Sequence, residues 1–218
     1  MTSQQTAIEH LRVIRSLLER SQTYRAISAP AALFGGGVAL AVALSSVRID
    51  STGIVSKVSP TGLLGIWLGI LGITTVLNFF LLYRDAAQRG QSFVSDGMHT
   101  ALRAFVPPML VGGVVGICAI VFRADAPLAA LIWILCYGLA LLSTAHFSPR
   151  SLLRLGWAFL GLGLALTLWH FSKVENPLAS HRTALASLYL GATFGALHIA
   201  YAVAVFLRKP APLDPPDA

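Results

Sequence analysis

His198 is the side chain of this sequence best placed to do chemistry. It lies inside an apolar run, about 13 Å from the end of that run at a helical rise of 1.5 Å per residue. An imidazole titrates near neutral pH and can ligate a metal or relay a proton, so one at such depth marks a functional-site candidate. The competing role is structural: a neutral histidine bonded to a serine, threonine or carbonyl of a neighbouring helix. That packing role is the expected one, because no second ionisable residue shares its depth. Ser187, Gly191, Gly195, His198 and Ala202 recur on one helical face, where neighbouring helices come closest.

The other candidates are weaker. Thr75 and Asn78 lie three residues apart on one face, beside Thr74. They suit interhelical hydrogen bonding or, alternatively, the wall of a polar solute path. His146 and His170 fall at opposite ends of their runs, and paired haem ligands need equal depth on facing helices. Only a site shared across a dimer would bring two histidines together. Cys118 and Cys136, the sole cysteines, lie at unequal depths in adjacent runs and are expected to be small buried hydrophobes without a disulfide. No metal spacing, nucleophile elbow, phosphate loop or carboxylate pair is present. The sequence thus offers no catalytic residue and calls for no cofactor.

The elements that must position these residues are membrane helices. Six stretches of 17 to 24 residues, almost free of charge, run Ile27 to Val47, Gly62 to Tyr83, Phe105 to Phe122, Pro127 to Ala145, Leu155 to Phe171 and Ala184 to Leu207. Each can span or nearly span a hydrocarbon core of about 30 Å. The chain of 218 residues is 56% hydrophobic and 11% charged, with a mean hydropathy of +0.72. The expected fold is all-α: a polytopic bundle of six transmembrane helices (27–207), preceded by an amphipathic arm (1–26) and followed by a disordered proline-rich tail (208–218).

Lysine and arginine counts set the expected orientation. Eleven lie on the side of the termini, from Arg12 through Arg84, Arg103, Arg150 and Arg154 to Lys209, against five on the other side. Both termini are therefore expected in the cytoplasm of a bacterial inner membrane. In the arm, Ile8, Leu11, Ile14, Leu17 and Leu18 recur at helical spacing, with Thr6 and Glu9 as a capping box. Arg12, Arg15, Arg20 and Arg25 would then meet lipid phosphates or a partner. The net charge of +7 is spread thinly over the connections, which favours anionic head groups over direct nucleic-acid binding.

Lipid tails give helices no hydrophobic reason to associate, so small residues must let backbones approach. Gly62, Gly65, Gly69 and Gly72 form the longest such face, and Gly112 with Gly116 and Gly191 with Gly195 add pairs four apart. Pro107 and Pro108 are read as the start of the third helix, where a missing N–H costs little. The stretch from Arg84 to Ala104 is read as the longest cytoplasmic connection.

Four segments carry a resemblance: IRSLLERSQTYRAISAPAALFGGGVAL, AFVPPMLVGG, WILCYGLALLSTAHFSPRSLLRLG and GATFGALHIAYAV. In this order they resemble an uncharacterised family of bacterial six-helix membrane proteins, over nearly the whole chain. Arg15 through Ser21, Pro107-Pro108, Phe147 through Arg150, and Phe194-Gly195 with His198 are the most specific pieces. The family often has glycine where this chain has Ala29 and Ala202. Its members are commonly encoded beside a winged-helix transcriptional regulator, which implies a cytoplasmic regulator as partner. The expected function is a non-enzymatic module that senses, scaffolds or sequesters such a partner, as a single copy or a homo-oligomer. The alternative is a small permease or channel for a neutral or weakly polar solute.

Overall fold

The computed structural model describes residues 27–51, 59–88, 90, 96–146, 148–172 and 182–207. The amphipathic arm with its four arginines, the tail, and Phe147 lie outside the described residues. Among the described residues every regular element is a helix: α1 (Ala29–Ser51), α2 (Pro60–Gln88), α3 (Asp96–Arg123), α4 (Ala126–Ser143), α5 (Arg150–Ser172), α6 (Arg182–Leu190) and α7 (Ala196–Phe206). A π-helical turn, Gly191–Gly195, joins α6 to α7, so that Arg182–Phe206 forms one sixth span. Six helices are long and apolar enough to cross a membrane, which is the architecture of a multi-pass membrane protein.

Close contacts fix the arrangement. Gly112 faces Cys136 and Gly116 faces the Trp133 indole, so α3 and α4 run antiparallel. Gly138 meets Gly156 and Leu160, and Gly163 meets Ile134 and Leu135, which sets α5 antiparallel on the other side of α4. Gly191 and Gly195 pack on Ala43 and Leu40 of α1. At the end of the bundle shared by Ile27 and Leu207, Tyr201 Oη donates to the Ile27 carbonyl at 3.0 Å. The Ser28 amide donates to Asn78 Oδ1 at 2.9 Å and ties α1 to α2. α4 is the centre, with Ala129, Ala130, Leu131, Ile134 and Ala140 almost wholly buried.

The opposite end is pinned through the α3–α4 turn. Ala124 adopts φ 51°, a left-handed conformation that reverses the chain in two residues. Asp125 then caps α4 by accepting the Leu128 amide at 3.2 Å, and its other oxygen pairs with Arg182 at 3.4 Å. A carboxylate here also complements the positive end of the α4 dipole.

Three expectations are corrected. The Arg84 to Ala104 stretch is mostly helical, since α2 runs on to Gln88 and α3 begins at Asp96. Polar residues continue a helix beyond the hydrocarbon core, where apolar patterning gives no sign of its end. Pro107 and Pro108 consequently lie inside α3, not at its start. Pro108 cannot donate to the Ala104 carbonyl; the Ser143 hydroxyl of α4 lies 2.8 Å from it and 2.7 Å from its own Ala140 carbonyl, and its single proton is shared between the two. The third correction concerns the glycine face of the second span. Gly65, Gly69 and Gly72 meet nothing among the described residues, while α2 buries Leu63 and Trp67 on its other side.

Candidate functional site

The π-turn creates the setting of His198. Thr193 Oγ1 donates to the Tyr189 carbonyl at 2.8 Å, and the Ala196 amide reaches back five residues to Gly191 as well as to Thr193. Small residues at both ends of the turn let α1 lie against it, and a wide turn of this kind often accompanies a functional site. Below it the expected single face is divided. Gly191 and Gly195 address α1, whereas His198 looks toward α4 and α5.

Both ring nitrogens of His198 are engaged. Nδ1 lies 2.9 Å from the Phe194 carbonyl, one turn back on its own chain. A carbonyl only accepts, so Nδ1 carries the proton and Nε2 is the acceptor. The partner of Nε2 is the Tyr137 hydroxyl at 2.9 Å, which must donate. The imidazole is thus held as one neutral tautomer, with its only lone pair occupied by the phenol of α4.

Aromatic rings enclose the pair. Phe159 of α5 stands edge-on to Tyr137 at 4.7 Å between centroids and to His198 at 5.4 Å. Phe194 stacks on the imidazole at 6.0 Å and 12° and tilts against Tyr137 at 4.9 Å. Phe105 of α3 completes the group at 6.2 Å, so four spans meet at one phenol. Edge-to-face contacts of this kind add to plain burial. Phe159 is fully buried and Tyr137 nearly so, while His198 is half-buried. Chemically the arrangement is a saturated donor–acceptor pair in an apolar box. A metal or an exchanging proton would have to displace Tyr137 to reach Nε2.

Tyr137 was not among the expected site residues. Its signal was weak: a single tyrosine mid-run, where phenols usually lie at the membrane surface. A second pair of the same type lies at the other end of the bundle, where His170 Nδ1 is 3.2 Å from the Tyr189 hydroxyl. Trp169 and Tyr189 stand edge-on there at 6.2 Å.

The remaining candidates do not join His198. Asn78 accepts from Ser28 at the α1–α2 contact. Thr75 faces outward, and it is Thr74 that meets Gly35 of α1. Cys136 packs on Gly112, but Cys118 is exposed on α3 rather than buried, and both thiols are free. His146 lies exposed in the α4–α5 turn. No group of three or more metal-ligating side chains occurs among the described residues. No family model matches this chain, and neither curated proteins nor solved structures include a significant match to it.

Proposed function

We propose that this chain is a non-enzymatic integral membrane module that senses, scaffolds or sequesters a cytoplasmic partner. The observation that carries the reading is how the buried polar candidates are used. His198 is committed to Tyr137 and its own backbone, and Asn78 accepts from the amide that opens α1. Side chains spent on holding helices together line no continuous path and poise no nucleophile. The basic asymmetry of the connections supports both termini in the cytoplasm of a bacterial inner membrane. The resemblance to proteins encoded beside a winged-helix regulator supports a regulatory protein as the partner, reached through the arm bearing Arg12, Arg15, Arg20 and Arg25.

Co-purification of the full chain from native membranes, with mass spectrometry of proteins and small molecules, tests the reading. A stoichiometric cytoplasmic protein lost on removal of residues 1–26 is the expected outcome. Reporter fusions at the C-terminus and between Arg48 and Pro60 test the orientation, which an exported C-terminus would refute.

One observation favours the permease reading. Among the described residues Trp67 Nε1 and Ser187 Oγ are buried donors without a partner. Orphaned donors are costly in an apolar interior and would suit a passing neutral acceptor. Counterflow of small polar solutes into proteoliposomes, abolished by Ser187→Ala with Trp67→Phe, would replace the module by a permease.

A further inference from the structure

We infer that α5 carries a binding site for the head group of an anionic phospholipid, built by Arg150, Arg154 and Trp157. At 100° per residue these three positions fall within about 60° of one another on the helix. All three are exposed, Trp157 at 62%. The same stripe continues through Leu164, Leu168 and Phe171, which are also exposed, while Leu152, Leu155, Gly156, Phe159 and Gly163 are buried on the opposite side. Among the described residues nothing covers the stripe, and its apolar length suits lipid. Arg154 to Ser172 spans about 27 Å of helix, close to the hydrocarbon thickness, which places Arg154 at one edge of the core and Arg150 among the phosphates.

Among the described residues the charge at this edge is uncompensated. Arg150 opens α5 and Arg154 follows one turn later, at the end where the helix dipole is positive and disfavours cations. The first turn contains no acidic residue. Among the described residues neither guanidinium makes an ion pair, in contrast to Arg182, which is paired with Asp125. Two like charges and a positive helix end, with no anion beside them among the described residues, call for an anionic ligand. A phosphodiester accepts the fork of a guanidinium through two oxygens, and Trp157, a turn deeper, lies at the level where indoles meet the glycerol region. Charge complementarity therefore selects a lipid of net negative charge over a zwitterionic one.

Detergent-solubilised full-length protein, titrated with phosphatidylglycerol while its thermal midpoint is followed, tests the site. The expected result is a saturable upward shift in the wild type, small or absent with phosphatidylcholine. Arg150→Gln with Arg154→Gln should weaken the apparent affinity roughly thirtyfold, on the scale of two surface arginines facing anionic lipid. Arg150→Lys with Arg154→Lys should keep most of it, and the charge-matched Arg84→Gln with Arg103→Gln should leave it unchanged. The inference fails if the α5 glutamine variant titrates like wild type, or if the charge-matched variant loses as much. It fails equally if inorganic phosphate alone reproduces the shift, which would make the site one for a free anion.

Discussion

α4 and α2 have the same mean hydropathy over their spanning windows, 2.0, yet 56% of the α4 window is buried and only 11% of that of α2. α2 has the glycine-rich face, and α4 has a single glycine, Gly138. In lipid neither apolarity nor small residues alone decide which helix becomes the centre, because the solvent is as apolar as the core. Reciprocal fit decides. Around α4, Gly138 receives Gly156 and Leu160, the partners' Gly112, Gly116 and Gly163 receive its Cys136, Trp133 and Ile134, and Tyr137 gathers rings from three other spans. α2 offers hollows that nothing among the described residues fills.

The largest effect that can break this contrast is overpacking at Gly138. A Cβ there would lie 3.0 Å from the Leu160 nitrogen and 3.2 Å from the Gly156 oxygen, both backbone atoms that cannot step aside. Gly138→Leu should cost about 3 kcal/mol or prevent assembly, read from unfolding in detergent. Gly69→Leu, into open space, should cost nothing measurable. A comparable loss at Gly69 would mean that something outside the described residues covers α2.

Next comes the pair that fastens α4 to the last span. A double-mutant cycle of Tyr137→Phe and His198→Leu should give a coupling of about 1 kcal/mol, the scale of hydrogen bonds between membrane helices. His198→Gln keeps a donor and an acceptor and should lose less than His198→Leu. Additive losses would show that the rings, and not the hydrogen bond, hold the contact.

Ser143→Ala should cost about 0.6 kcal/mol by removing the hydroxyl whose proton the Ala104 carbonyl shares with that of Ala140. Pro108→Ala restores a backbone N–H to that carbonyl and should recover the loss in the Ser143→Ala background. Smallest is Ala124→Gly, which relieves a left-handed residue at the far turn of α4 and should gain about 0.5 kcal/mol. A loss there would indicate that the turn is favoured by its methyl group rather than strained by it.

Six helices could be read from the sequence because length and apolarity alone define a span. The contacts of Gly112, Gly116, Gly191 and Gly195 were legible for a related reason: pairs four apart make a hollow that a neighbour can enter. Which face looks inward was much harder to read. A soluble helix shows its buried side by contrast with a polar one, whereas α2 and α3 are apolar all round. That is why the open glycines of α2, the outward Thr75 and the exposed Cys118 were misplaced. His198 stood out as the one ionisable group at its depth, but its partner Tyr137 did not, because pairing between helices 61 residues apart leaves no local pattern. The interior prolines misled because the neighbour that compensates them, Ser143, lies on another helix.

The wide turn at Gly191–Gly195 makes the last span two keys cut at different angles. Closing a loop over five residues in place of four takes in one extra residue, which sets everything after it back by about 100° relative to an uninterrupted helix of the same length. Before the turn the span is buried on nearly every face, and after it only Tyr201 and Ala202 are fully inside. Winding the same residues as an ordinary helix would swing His198 away from Tyr137 without altering a single side chain in the pair, whereas deleting the exposed Ala192 together with the wide turn would leave His198 where it is. The angular setting of the site is stored in the chain's count of residues together with the one turn that absorbs the extra residue.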